Sequence, residues 1–338
     1  MRSWKTAVIV VGMACGVGVS TLVGQSNPNP TRDDKAVTDG APGKTTNTGV
    51  LRSAQDDGKN DTATVAMIAA TPAIWKVKGA HGTVYLFGTI HVMKPNVEWE
   101  TAKVKDAFAA SDTVYVEVAN LDDKTAGLPL AAQFGLDMAH PLSTKIGKDD
   151  VDLLDKTAKG MGLPGESTFE PMQPWLVTMT VSVMPMLKAG YDPASGVDVV
   201  LLKQARDAGK KIVGLETMEQ QLHFVADEPQ AEQVEMLHKE LTEMDKNTAE
   251  MADIVSAWEK GEVAKIGALE NGEMKTKYAA EYKTLVVDRN TKWATTLDGL
   301  LKDPATGTVF VAVGAAHLAG EDSVIEMLKK DGWKVERE

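Results

Sequence analysis

Two segments of this chain end an apolar run in glycine, two small or apolar residues and then a histidine. They are Val84-Tyr85-Leu86-Phe87-Gly88-Thr89-Ile90-His91 and Val309-Phe310-Val311-Ala312-Val313-Gly314-Ala315-Ala316-His317. Ligand-bearing loops sit at the carboxyl ends of strands in parallel sheets. Glycine there permits a sharp turn out of the strand, and a histidine so placed can serve as a metal ligand or a base. One such histidine is more often a structural one. Two in matching contexts, out of six in the chain, point to chemistry. His81, in an exposed turn, and His140, His223 and His238, on loops or helix surfaces, have no comparable setting.

Two carboxylates follow the same logic. Glu117 stands in Thr113-Val114-Tyr115-Val116-Glu117-Val118, an otherwise apolar strand. A charge among buried neighbours is costly unless it is paired or binds a metal, although strand alternation could instead turn Glu117 to solvent. Glu216 ends Val213-Gly214-Leu215-Glu216, a short apolar strand, where it could equally serve as a cap partner for the turn that follows. Two histidines and two carboxylates suit a divalent ion such as Mn2+, Co2+ or Zn2+, which would activate water and polarise a carbonyl. Arg289 and Asn290 fall on a helix before the last strand pair and alone would be ordinary surface residues.

The elements that must position these groups can be read from pattern. Trp75 to Val77 and Thr83 to Phe87 form two strands around a Gly79-Ala80-His81-Gly82 turn. A helix over Glu98 to Ala110 and the strand from Thr113 follow, a βαβ unit with parallel pairing. Residues 128 to 290 read as mostly helical, with a buried helix over 169 to 187 whose methionines fill core. Further helices are expected at 197 to 208, 229 to 259 and 275 to 301, with a buried strand at 211 to 215. Strand, Gly-x-x-His turn, helix and strand recur from Thr308 to Glu336. The fold class is α/β, a mixed sheet core with flanking helices, two strand-GxxH-helix-strand units and a helical middle region.

Arg2 and Lys5, an apolar run and closing small residues give residues 1–24 the layout of a secretory signal peptide, or of an uncleaved N-terminal anchor. Residues 25 to about 64 are polar, and no aromatic stands between Trp4 and Trp75, a composition that reads as a flexible tether over 25–69. The folded domain is 70–338. Cys15, the only cysteine, lies in the leader, so neither a disulfide framework nor a cysteine metal site is available to the domain. A net charge of −12 spread along the chain argues against nucleic acid as a partner, because phosphate binding needs clustered Lys and Arg.

Taken in order, these motifs resemble the TraB/GumN family (TraB/PrgY/GumN, with the Tiki proteins). The carriers are Trp75-Lys76-Val77, Gly88-Thr89-Ile90-His91, Val114 to Val118, Pro174-Trp175, Val213 to Thr217 with Gln220, Asp288-Arg289-Asn290, and Val309 to Leu318. The resemblance spans essentially the whole domain and implies an erythromycin-esterase/ChaN-like α/β fold. It implies that His91 and His317 share a pocket with Glu117, Glu216 and Arg289 near it, and it brings in Asn290 and Gln220 as substrate-binding candidates. Tiki proteins resemble metal-dependent proteases, yet this sequence has no His-Glu-x-x-His helix. The first reading is therefore an exported hydrolase, periplasmic or at the cell surface, acting as a peptidase on a peptide or small-molecule substrate. In it His91, His317 and one carboxylate hold the ion, the other carboxylate is general base, and Arg289 stabilises the oxyanion. Its rivals are a metal-free esterase-like hydrolase and a non-catalytic protein that sequesters a peptide, haem or metal. Membrane attachment is expected only through the N-terminal segment.

Overall fold

The computed structural model describes residues 66–338. The leader or anchor, and the tether up to residue 65, lie outside the described residues. In chain order the strands are β1 (Ile68–Ala69), β2 (Ile74–Lys78), β3 (Thr83–Thr89), β4 (Val97–Glu98), β5 (Thr113–Val118), β6 (Lys211–Glu216), β7 (Thr308–Gly314) and β8 (Val335–Arg337). The longer helices are α1 (Ala102–Ala109), α2 (Lys124–Gly135), α3 (Lys148–Gly160), α4 (Pro174–Lys188), α5 (Val197–Asp207) and α6 (Met218–Ala226). They continue with α7 (Gln230–Glu259), α8 (Val263–Lys277), α9 (Ala279–Tyr282), α10 (Asp288–Lys302) and α11 (Val324–Lys330).

One six-stranded mixed sheet runs β6-β5-β7-β3-β2-β8, and β1 and β4 form a separate parallel pair. The central strands β3, β7, β5 and β6 are parallel; β2 runs antiparallel to β3, and β8 pairs antiparallel with β2 and so runs in the direction of the centre. The parallel centre is buried on both faces, as an almost wholly apolar strand requires. On β7, Phe310 and Ala312 join the core that also takes in Phe87, Val114 and Val116, whereas Val309, Val311 and Val313 join Trp293, Leu297 and Leu328 on the other side. The penultimate strand in sequence, β7, is thus inserted between β3 and β5. At this place the direction of winding reverses, and α/β sheets bind their ligands at such places.

Local signals account for several helix starts. Thr217 caps α6 in a reciprocal box with Gln220, and Ser323 and Thr101 cap α11 and α1. The helical middle region builds its own apolar layer, with Phe169, Val177 and Val181 packed against Leu154, Leu237 and Leu241. Two details go beyond the sequence pattern. The pairing of β1 with β4 begins at Ile68, so the last two tether residues are already strand. A π-helical turn, Lys283–Val287, interrupts the run into α10. Among the described residues no helix is long and apolar enough to cross a membrane.

Candidate active site

Strand register places the candidate residues together. Thr89 pairs with Gly314, Val116 with Ala312 and Val118 with Glu216, so β3, β7, β5 and β6 all end at one edge of the sheet. His91 leaves β3 at that edge and His317 leaves β7 in the short turn Ala315–Leu318. The two glycines owe their place to crowding rather than to a left-handed backbone, since neither is among the positive-φ positions. A Cβ on Gly88 would lie 2.9 Å from the Ala315 Cα, which leaves no room for the two turns to meet. A Cβ on Gly314 would lie 3.2 Å from Glu117 Oε1, 3.6 Å from His317 Cδ2 and 4.0 Å from His91 Nε2. Gly314 is therefore the floor on which the three side chains converge.

His91, Glu117 and His317 line one cleft that encloses about 840 Å³ of empty space, part of it open to solvent. Its far wall comes from α4, α7 and α8, through Ser182, Val183 and Met186, then Glu240, Asn247 and Met251, and finally Glu270. Glu216, Arg289, Asn290 and Gln220 are not among the lining residues.

Behind the cleft, Arg289 is only 2% exposed and spends its whole guanidinium on neighbours. Nη2 donates to Glu117 Oε2 at 2.7 Å and to Glu216 Oε2 at 2.8 Å, and Nε donates to Glu216 Oε1 at 2.9 Å. Nη1 donates to the Leu285 carbonyl, inside the π-helical turn, and to His317 Nε2 at 3.0 Å. The guanidinium also lies over the rings of Phe224 and Trp293. Gln221, which the sequence pattern did not single out, donates from Nε2 to both Glu117 and Glu216 at 2.9 and 2.8 Å. Its neighbour Gln220 instead closes the cap of α6, accepting from the Thr217 amide at 2.9 Å. Asn290 gives its Nδ2 to the Asp322 carbonyl and so presents Oδ1 to His317 Nδ1 at 2.6 Å.

These bonds fix the charge states. With Nδ1 donating to Asn290 and Nε2 accepting from Arg289, His317 must be the neutral tautomer. Burial and then the Arg289 charge hold it down to about 3. Burial would also depress His91, but the Asp198 carboxylate, 2.9 Å from Nδ1, outweighs it and raises the imidazole to about 9. Burial would raise Glu117. Arg289, the two histidines and the Gly314 amide at 2.7 Å reverse that and hold it down to about 2. On the far wall, Glu240 has only Asn247 to offset its burial and rises to about 7.

A divalent ion fits part of this set. His91 directs Nε2 toward the cleft while Nδ1 binds Asp198, the arrangement that orients metal-ligating histidines, and Glu117 Oε1 lies beside it on the same glycine floor. The Nε2 lone pair of His317, however, is taken by Arg289. Among the described residues no group of three His, Cys, Asp or Glu side chains forms a ready metal cage. His140, His223 and His238 make carboxylate pairs away from the cleft, with Asp137, Asp227 and Asp150.

The ordered sequence motifs agree with the outcome of comparison. A family described as the TraB/PrgY/gumN family matches residues 73–337. The chain belongs to the TraB/PrgY/gumN family. It is similar to an uncharacterized protein of Treponema pallidum (strain Nichols), 24% identical over 276 residues that cover 76% of this chain and 80% of that protein. The uncharacterized protein YbaP of Escherichia coli (strain K12) is also 24% identical, covering 72% of this chain and 87% of its own length. The Metalloprotease TIKI2 of Danio rerio is 23% identical over 299 residues, 75% of this chain and 58% of the fish protein. No solved structure matches the chain. The relatives thus range from proteins without a named activity to TIKI proteins named metalloproteases.

Proposed function

We propose that the protein is a metal-dependent hydrolase, a peptidase, whose reaction takes place where the two Gly-x-x-His turns meet. The observation that carries this reading is the convergence of His91, Glu117 and His317 on the Gly314 floor inside one cleft. The name of the TIKI relatives supports peptide as the substrate class. His91 Nε2 and Glu117 would hold the ion, with His317 joining them once Arg289 releases its nitrogen. When bound, such an ion polarises a carbonyl and acidifies water.

The chain's own groups divide the remaining work. Held at about 2, Glu117 is a poor proton acceptor at neutral pH, because an efficient general base titrates near the working pH. It is a ligand and a fixed negative charge. Glu216 and Gln221 hold the carboxylate and the guanidinium in place from behind, which makes them positioning residues. With its donors committed there, Arg289 keeps Glu117 ionised rather than reaching an oxyanion. The apolar stretch behind Arg2 and Lys5 supports export to the periplasm or cell surface, with cleavage or anchoring at the N-terminus.

One observation favours a second reading. Arg289 occupies His317 Nε2, so a metal-free hydrolase or a non-catalytic binding protein would need no rearrangement. A peptide-library cleavage assay on the purified protein, with Mn2+, Co2+ or Zn2+ added and then chelated, separates them. The proposal expects cleavage that a chelator stops and His91→Ala abolishes. Cleavage that survives the chelator supports the metal-free enzyme, and tight peptide capture without products supports the binding protein.

A further inference from the structure

The cleft has a second polar wall that the reaction does not use. Glu240 and Asn247 come from α7 and Glu270 from α8, and all three are buried, at 1%, 3% and 7% exposure. Between the first two, α7 breaks its helical geometry at Glu243. Asn247 Nδ2 donates to Glu240 Oε2 at 2.9 Å, which fixes the amide and leaves Oδ1 as the free end. That oxygen is buried and has no hydrogen-bond partner among the described residues. A buried acceptor left unmatched costs free energy comparable to a lost hydrogen bond. Its presence in a cleft wall points to a donor that arrives with a ligand.

Charge says what kind of donor. Among the described residues, three carboxylates line the cleft, Glu117, Glu240 and Glu270, and no lysine or arginine does. Glu117 is already matched by Arg289 from behind. Among the described residues no cation matches Glu240 in this way, and burial pushes it up to about 7. Beside this wall, Val183, Met186 and Met251 give an apolar, adaptable surface. A long aliphatic stem would bury there while its charged head reached the polar groups.

We infer that this wall is a specificity subsite for a primary ammonium: Glu240, Glu270 and the Asn247 carbonyl oxygen receive its three donors, and Val183, Met186 and Met251 take its aliphatic stem. The inference rests on the hydrolase reading for the statement that the ammonium belongs to a substrate. A lysine side chain supplies both head and stem, whereas a free peptide amino terminus shares only the ammonium head.

Binding is measured without turnover, by calorimetric titration of n-hexylamine and of n-hexanol into the full chain. The amine is expected to bind at least about tenfold more tightly, the worth of one charge-assisted hydrogen bond. Glu240→Gln, which keeps the shape of the side chain, should erase most of that preference while leaving the alcohol unchanged, and Glu270→Gln should reduce it. N-acetyl-lysine methylamide and alanyl-alanine amide then tell the two sources apart. Equal affinity for amine and alcohol overturns the inference, as does a preference that survives both variants. Amine binding with no cleavage of any library peptide sinks the hydrolase reading and leaves the subsite standing. Cleavage indifferent to ammonium groups does the reverse.

Discussion

On the sheet side of the cleft Glu117, Glu216 and Arg289 each have several partners. Arg289 serves Glu117, Glu216 and His317, Gln221 ties the two carboxylates together, and Asp198 holds His91. On the helical wall Glu240 has a single amide donor, Asn247 keeps an unmatched oxygen, and methionines supply the apolar surface. The Arg289 network holds its members in one geometry, since Glu117 and Glu216 are each fixed by several bonds. A sparsely bonded wall with flexible thioethers can fit different ligands. The contrast assigns reaction to the sheet edge and selection to the helices.

The sharpest way to break that contrast is to remove Arg289. Arg289→Ala would leave Glu117 and Glu216 buried with their main countercharge gone, a loss of about 3–5 kcal/mol. Urea unfolding should show it, and Arg289→Lys should recover little, because an ammonium cannot reproduce the fork that serves three partners. A loss below about 1 kcal/mol would mean that the network does not hold the edge together.

The next largest effect is acid lability. A histidine depressed from 6.5 to about 3 contributes stability that is fully present above pH 6.5 and is lost as pH falls toward 3. Glu117, depressed from 4.5 to about 2, adds a loss at still lower pH. His91, raised from 6.5 to about 9, has the opposite sign, and its contribution fades as pH rises from 6.5 toward 9. Stability should therefore peak near neutrality, with the acid limb dropping by an order of a few kcal/mol. His317→Asn should flatten the part of that limb between pH 6.5 and 4.5. An unchanged slope in that variant would show that His317 is not held neutral by its surroundings.

Gly314→Ala sets its Cβ 3.2 Å from Glu117 Oε1, so the carboxylate must shift. The expected cost is about 1–3 kcal/mol in stability, accompanied by a disproportionate loss of cleavage. On the helical wall, Met251→Leu conserves volume in an adaptable surface and should cost less than about 1.5 kcal/mol. It should change peptide preference more than rate. Thermal unfolding and library cleavage of both variants check the pair, and equal effects on both sides would erase the distinction.

The same contrast explains what the sequence disclosed. The parallel centre of the sheet was legible because Val309 to Val313 is an apolar run and Val114 to Val118 is apolar but for Glu117, as buried strands are. His91 and His317 stood out because a strand end, a glycine and a histidine recur together. The crowding that demands Gly88 and Gly314 was not legible, since it arises between segments far apart in the chain. Gln221 was missed beside Gln220 because a helix start gives no sign of which amide faces a carboxylate. Asp198, Glu240, Asn247 and Glu270 lie among many charged or polar helical residues, where only tertiary packing reveals which are buried. The roles of Arg289 and Glu216 likewise depended on depth behind the cleft, a quantity that spacing does not carry.

Whether the two turns form one site is tested most directly by calorimetric titration of Mn2+, Co2+ and Zn2+ into the wild-type chain, His91→Ala, His317→Ala and the double variant, with His81→Ala as control. The account predicts one ion per wild-type and control chain and most binding lost in His91→Ala. His317→Ala should also lose binding, and the double variant should be little worse than His91→Ala alone, because residues acting as a unit are non-additive. Full binding in both single variants, or independent losses that add in the double, would contradict it.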